Sequence, residues 1–199
     1  MTEEKELLTI LSEAEYKKLN KLLRSRLGQP KKQNRLSLQS DNYSQVSIDT
    51  RIRITNGKAE LMQKVGNWKK ITKGQTRTEI SAPLPDNAET VLAFYQIIRN
   101  LVQGQSVENI MMQYESYLWG NEKFEIKLTH QFGKSDAYNC EVEVFDYSLK
   151  PQNLAKEYNI PIHLPMKKKD FWRKWNKKVN LSIDSLSDQK LLNIIKKYL

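Results

Sequence analysis

The chain has 199 residues and a mass of 23.4 kDa, which fits one domain with an appendage and suffices for a sizeable core. Its 33 Lys and Arg against 23 Asp and Glu give a net charge of +10, which favours a polyanionic partner. One cysteine and two histidines exclude a disulfide framework and a multi-Cys or His-rich metal site. The sequence contains no glycine-rich phosphate loop and no membrane-length apolar run, and its acidic, polar first residues are not expected to act as a signal peptide. We therefore expect a cytoplasmic protein without membrane contact.

Helical periodicity in the first half of the chain marks two segments. Residues 12–26 begin with a capping box, Ser12 and Glu15, and continue with leucines at helical spacing. Residues 86–103 repeat this pattern. Both segments are predicted to be helices with one buried face.

Strand-like segments lie between and after these helices. Alternating apolar and polar residues predict strands at 45–55, 58–65, 76–82, 110–120, 123–132 and 138–147. Asn56 and Gly57 separate the first two strands and indicate a tight hairpin. Residues 2–8 would supply one more strand if they are extended.

The last fifty residues differ in composition. Helices are predicted at 151–158, 167–179 and 187–199. Residues 151–199 contain 11 Lys and Arg against 4 Asp and Glu, so they carry +7 of the net charge. We predict a domain over 1–160 and a basic helical extension over 161–199.

The basic, aromatic stretch 167–178 has two interpretations. One is a helix that packs its aromatic stripe against the domain. The other is a basic cover over the domain's binding site, or a nucleic-acid contact with aromatic stacking. Nucleic acid thus stays open as a partner, as does the oligomeric state, with a homodimer as one alternative.

Charged residues pair on one face of several predicted strands. Arg51 and Arg53 share a face, and so do Glu141 and Glu143, with apolar residues opposite. An antiparallel sheet with one solvated face explains any single strand. Taken together, the strands favour an α+β fold, a closed antiparallel β-barrel of about eight strands with helices packed outside.

A tunnel lined by both signs of charge suits a chelated polyphosphate. Arginine and lysine neutralise phosphate oxygens, and paired carboxylates hold Mg²⁺ or Mn²⁺. A divalent ion there can orient water and stabilise charge on a transferred phosphoryl group.

The order of these motifs resembles the CYTH superfamily, the triphosphate tunnel metalloenzymes. The resemblance covers roughly residues 1–160. It rests on the charged N-terminus 3–9 with the helix start 12–16, the arginine strand 49–54, the stretch 60–64, the Arg77-Thr78-Glu79 triplet and the strand 138–144.

The resemblance implies roles for individual residues. Phosphates would be bound by Lys5, Arg51, Arg53, Lys64 and Arg77. Mg²⁺ or Mn²⁺ would be held by Glu3, Glu79, Glu141 and Glu143. Lys5, Arg51, Arg53, Glu141 and Glu143 would form the catalytic set.

This sequence departs from the family pattern at four places. Ser81 stands where the family's R-x-E-x-E pattern, here starting at Arg77, has its second glutamate. Glu3 and Lys5 match the E-x-E-x-K signature of the first strand only in part, and a register through Glu4 and Glu6 loses the lysine. An arginine usual on the strand after the second helix would fall at Gln113 or Tyr114. An acidic residue on the next strand would fall at Thr129.

The resemblance leaves three functions open. The first is metal-dependent hydrolysis of a linear triphosphate, either inorganic triphosphate or a nucleoside triphosphate. The second is cyclic AMP formation, as in class IV adenylyl cyclases. The third is binding of triphosphate, polyphosphate or an RNA 5′ end without turnover.

Overall fold

A computed structural model describes residues 5–41, 48–66, 77–101, 108–146, 148–163 and 171–199. For Asp41, Ile48, Arg77 and residues 171–173 it describes the backbone only. The strands are β1 Lys5–Leu11, β2 Lys31–Asp41, β3 Ile48–Thr55, β4 Lys58–Gly66, β5 Arg77–Pro83, β6 Glu108–Gly120, β7 Phe124–Phe132, β8 Ala137–Val144 and β9 Leu181–Ser182. The helices are α1 Glu13–Leu27, α2 Ala88–Leu101, α3 Pro151–Glu157, α4 Phe171–Val179, α5 Asp188–Tyr198 and a 3₁₀ turn, Ile183–Ser185.

The strands form one sheet in the order β1-β8-β7-β6-β2-β3-β4-β5, and every pairing is antiparallel. The short β9 pairs with β6 beyond the end of β7. Within the described residues, the edge strands β1 and β5 do not pair with each other. The α+β class is confirmed, but hydrogen bonds leave the sheet open, so the predicted closed barrel is not confirmed. The edge strand β5 ends at Pro83, which has no N–H to donate across the gap.

Helices cover the apolar face of the sheet in two core clusters. The first joins β1, β7 and β8 to α1 and α3, with Leu23, Leu128 and Val142 at its centre. The second joins β2 and β3 to α2 and α5, where Ile52 and Ile195 are fully buried. The prediction that helices pack on the outer, apolar face is therefore confirmed, while the opposite face keeps its charged side chains.

The predicted C-terminal extension shares a core with the rest of the chain. Leu191 and Ile195 of α5 pack in one cluster with Val91 and Tyr95 of α2. The division at residues 160 and 161 remains a prediction. No helix in the described ranges is long and apolar enough to span a membrane.

The start of α1 is fixed by the predicted capping box. The Ser12 backbone N–H donates to Glu15 Oε2 at 2.8 Å, and the Glu15 N–H donates to Ser12 Oγ at 3.3 Å. His163 Nε2 lies 2.8 Å from the other oxygen, Glu15 Oε1. These hydrogen bonds, first that of the Ser12 N–H and then that of His163, lower the pKa of Glu15 from 4.5 to about 2.

The capping carboxylate predicts a pH dependence of stability. Because its folded pKa lies below its unfolded value, the stabilisation is complete above about pH 4.5 and is lost as the pH falls towards 2. We expect urea unfolding of Glu15→Gln to be less sensitive to pH between 5 and about 2 than that of the wild type. Glu122→Gln, an exposed control, should follow the wild type, and equal curves for all three proteins would contradict the assignment.

Candidate functional site: a charged face of the sheet

Cross-strand pairing gathers charged residues from seven strands on one face. Residues directly opposite each other in an antiparallel pair share a face. The register sets Arg53 opposite Glu60, Lys64 opposite Glu79, and Lys127 opposite Glu141. By the same register the face includes Glu6, Arg35, Asp49, Arg51, Glu125 and Glu143. We call this side of the sheet the charged face.

The charged face is concave. Glu141 on β8 and Lys64 on β4 are five strands apart in the sheet, about 24 Å in a flat sheet. Solvent and salt would screen an interaction over that distance. The Lys64 and Arg35 charges nevertheless contribute to the lowered pKa of Glu141. The sheet therefore curls so that its two halves face each other.

Four side chains on β3, β4 and β5 form a chain of ion pairs. Arg53 Nε contacts Glu60 Oε1 at 2.7 Å, and Arg53 Nη2 contacts Glu79 Oε1 at 3.1 Å. Lys64 Nζ binds the second oxygen, Glu79 Oε2, at 2.9 Å. Burial would raise the pKa of Glu79, but Lys64 and then Arg53 hold it below its usual value. The carboxylate is thus ionised and held between two cations.

A second ion pair lies across β7 and β8. Lys127 Nζ contacts Glu141 Oε2 at 2.7 Å. Burial would raise the pKa of Glu141, but the Lys127 ammonium, followed by Arg35 and Lys64, lowers it. Glu141 is therefore an anion at neutral pH in a positive environment.

Arg51 is held by its neighbour on the same strand face. Its Nε donates to Asp49 Oδ1 at 3.0 Å, and its Nη2 pairs with Asp49 Oδ2. The Asp49 carboxylate is buried, whereas the guanidinium is partly exposed. Asp49 therefore orients Arg51 towards the interior of the concave face.

Arg35 is a functional candidate that the sequence prediction missed. It lies on β2, between Tyr114 of β6 and Thr55 of β3. The charges of Arg51, Arg53 and Glu141 act on its guanidinium. Burial, followed by the Arg53 charge, lowers its pKa. The alternation of Leu36 and Leu38 with polar residues is the sequence feature that could have predicted this strand.

The first strand adopts the alternative register. Glu6 pairs with Glu143 on the charged face, while Lys5 pairs with Val144 and shares the core side with Leu7. The structure therefore does not bring Lys5 together with the predicted phosphate-binding residues. Glu6 takes the position opposite Glu143, and Leu8 stands opposite Glu141.

Two predicted site residues are not fully described. Glu3 lies outside the described residues. Arg77 begins β5 opposite Gly66, and its side chain is outside the described part. The remaining predicted residues on the charged face are Arg51, Arg53, Lys64, Glu79, Glu141 and Glu143.

The missing arginine and the missing acidic residue of the family pattern both have definite places in the structure. Tyr114 lies on the charged face opposite Arg35, whereas Gln113 lies on the other face and accepts a hydrogen bond from Tyr198 at 3.1 Å. Thr129 is buried on the charged face and hydrogen-bonds Ser116 at 2.9 Å. Neither position provides the charge that the family pattern would place there.

The C-terminal segment reaches one end of the charged face. Trp175 Nε1 of α4 donates to Gln131 Oε1 at 3.1 Å, and Gln131 is paired with Tyr114 on that face. The Lys134 N–H donates to the Val179 carbonyl at 2.7 Å and fixes the end of α4. Residues 167–170 lie outside the described residues, so a packed helix, a cover and a nucleic-acid contact all remain predictions for the stretch 167–178.

The described residues do not form a ready-made metal cage. No group of three or more His, Cys, Asp or Glu side chains is arranged to hold an ion within the described ranges. Of the predicted ligands, Glu79 and Glu141 are engaged by cations. Glu143 and Glu6, directly opposite each other, make a two-carboxylate set. Such a set fits Mg²⁺, which commonly takes one or two carboxylates and completes its shell with substrate phosphates and water.

Comparison with known proteins identifies the fold. A suspected adenylate cyclase from Bacillus halodurans has a TM-score of 0.57 at 18% identity, over 85% of this chain and 96% of that protein. The PH1012 protein of Pyrococcus horikoshii OT3 has a TM-score of 0.57 at 14% identity, over 79% and 91% of the two chains. PH1819 from the same organism has a TM-score of 0.54 at 15% identity, over 98% and 89%.

Sequence comparison gave no further match: neither a family model nor a curated protein matches the chain. The structural similarity extends over most of this chain and most of each neighbour. The predicted resemblance to the CYTH superfamily is therefore confirmed at the level of the fold.

Proposed function

We propose that the chain hydrolyses a linear triphosphate on its charged face. The observation that supports this most is the cluster of partly buried ion pairs, Arg53 with Glu60 and Glu79, and Lys64 with Glu79. Partly buried cations on a concave surface are suited to phosphate oxygens, and the carboxylates keep them positioned before a ligand binds.

In this proposal the phosphate chain is bound by Arg51, Arg53, Lys64 and Arg77. Arg53 and Lys64 share Glu79, so a phosphoryl oxygen competes with that carboxylate for both cations. Asp49 keeps the Arg51 guanidinium in place during this exchange. The cations then stabilise the negative charge that builds on the leaving diphosphate and the transferred phosphoryl group.

Glu141 and Glu143 complete the catalytic set. Because the pKa of Glu141 is lowered, its carboxylate is available to accept a hydrogen bond from the attacking water. Lys127 fixes one oxygen of that carboxylate at 2.7 Å. Lys5 is not included, because its register position lies on the core side of β1.

Divalent metal belongs to the proposal as a partner of the substrate. Glu143 with Glu6 would hold Mg²⁺ or Mn²⁺, and the predicted ligands Glu3, Glu79 and Glu141 would contribute if their present contacts are exchanged. When bound, the ion would neutralise charge on the phosphates.

A panel of triphosphates tests the proposal. Purified protein with Mg²⁺ or Mn²⁺ should release phosphate from tripolyphosphate or a nucleoside triphosphate, and Glu141→Gln with Glu143→Gln should abolish release. Glu122→Gln with Glu157→Gln, which removes two exposed carboxylates, is the matched control. Undiminished release by the first double variant would contradict the site.

The products distinguish the alternatives. Cyclic AMP together with diphosphate would show the cyclase reaction, the alternative that the name of the Bacillus halodurans neighbour suggests. Tight binding without any product would show a binding protein. Chromatography of the ATP reaction products separates the three outcomes.

A further inference from the structure

Arg35 differs from the other described arginines on the charged face. Arg51 is bound by Asp49, and Arg53 by Glu60 and Glu79. Arg35 donates through Nε to Thr55 Oγ1 at 3.1 Å, and in the described part of the chain its terminal nitrogens have no acceptor. A guanidinium carries five N–H donors, so four donors of this partly exposed side chain have no protein acceptor within the described residues.

The surroundings of Arg35 are positive. Besides burial, the charges of Arg53 and Arg51 lower the pKa of Arg35, and the Glu141 carboxylate, which raises it, is already paired with Lys127. A partly buried cation beside two others is costly unless an anion compensates it. The same row contains another unsatisfied donor: the Ser37 hydroxyl, opposite Arg53, is buried without a partner in the described residues.

We infer that Arg35 binds a phosphoryl group of the ligand through its terminal nitrogens, so that β2 contributes a phosphate contact beside Arg51 and Arg53. The inference rests on the proposed function for the identity of the ligand. The planar guanidinium matches two oxygens of one phosphoryl group, a contact that lysine cannot reproduce.

Anion binding to the full-length chain tests this contact directly. Calorimetry with tripolyphosphate, diphosphate and inorganic phosphate compares the wild type with Arg35→Gln and with Lys32→Gln. Lys32 is the matched control, because its replacement removes the same charge from the opposite face of β2, where Lys32 pairs with Tyr117. Arg35→Gln should bind tripolyphosphate about ten- to a hundredfold more weakly, as for loss of a charged hydrogen bond, and Lys32→Gln should bind like the wild type.

Thermal melting and a second variant separate binding from folding. Without anion, Arg35→Gln should melt no lower than the wild type, because it removes an uncompensated cation. Arg35→Lys keeps the charge but loses the two-oxygen contact, so its affinity should fall between those of the wild type and Arg35→Gln. Wild-type affinity in Arg35→Gln, or absence of binding of all three anions to the wild-type protein, would overturn the inference.

The hydrolysis assay keeps the two proposals apart. Anion binding that Arg35→Gln weakens, without phosphate release by the wild type, supports the Arg35 contact and contradicts hydrolysis. Phosphate release with an unchanged KM in Arg35→Gln supports hydrolysis and overturns the Arg35 contact.

Discussion

Replacing Arg53 with glutamine should lower phosphate release from tripolyphosphate about 100- to 1000-fold, the usual loss when one fixed donor to a developing anion is removed. Arg53 contacts both Glu60 and Glu79, so it is the side chain that joins β3, β4 and β5 on the charged face. In the proposed function its loss removes a phosphate contact, and it also leaves Glu79 paired with Lys64 alone. Steady-state kinetics should show the larger change in kcat, because in the proposed reaction Arg53 stabilises charge that develops in the transition state.

Glu60 loses its cation in this variant, whereas Glu79 keeps Lys64, so Glu60 requires its own control. Glu60 is partly buried, and without Arg53 it repels the incoming phosphate. The double variant Arg53→Gln, Glu60→Gln removes that repulsion, so it should recover substrate affinity but not kcat. Arg99→Gln breaks an exposed ion pair with Asp184 on the helical side and should leave kinetics unchanged. Near wild-type turnover by Arg53→Gln would contradict its place in the site.

Sequence patterns predicted the strands whose two faces differ in polarity. On β3 and β8, β-branched or apolar residues alternate with Arg or Glu, and this alternation indicates both the strand and its charged side. The sequence analysis did not predict β2, because the sequence of this strand, KKQNRLSLQSD, lacks the β-branched and aromatic residues that favour strands. Gln33, Arg35 and Ser37 alternate onto the charged face, whereas Leu36 and Leu38 join the core.

The register of β1 shows a second limit of sequence patterns. Glu3, Glu4 and Glu6 surround Lys5 in the sequence. A glutamate would therefore lie on the charged face whether the odd-numbered or the even-numbered residues point that way. Pairing with β8 decides the question, because Leu7 and Leu11 must join the first core cluster. Burial of two leucines therefore places Glu6 on the charged face and Lys5 on the other side.

The location of the C-terminal charge also depends on packing. Residues 151–199 carry +7 of the net charge of +10, which by itself suggests a basic arm. In α5, however, the lysines are exposed while Leu191 and Ile195 are buried against α2 and β3. Three of the eleven Lys and Arg in this segment, Lys190, Lys196 and Lys197, are therefore on the solvent side of a structural helix.

Ile195 lies far from the charged face, but its burial predicts that replacing it will strongly destabilise the protein. Ile195→Ala should lower the free energy of unfolding by about 2–5 kcal/mol, because Ile195 is fully buried in the second core cluster and its removal leaves a cavity. Small domains have a total free energy of unfolding of about 5–15 kcal/mol, so the urea concentration at the unfolding midpoint should fall markedly. Lys197→Ala, exposed on the same helix, should unfold like the wild type.

The shape of the unfolding curve tests how the last helix is coupled to the sheet. Because α5 shares the core of α2, β2 and β3, fluorescence and circular dichroism should report one transition for the wild type and for Ile195→Ala. An early transition in Ile195→Ala that leaves the sheet folded would instead favour the predicted division between residues 160 and 161. If the core is shared, the rate of phosphate release by Ile195→Ala should fall in proportion to the fraction of folded protein. The reason is that β2 and β3, which carry Arg35, Arg51 and Arg53, would unfold together with α5.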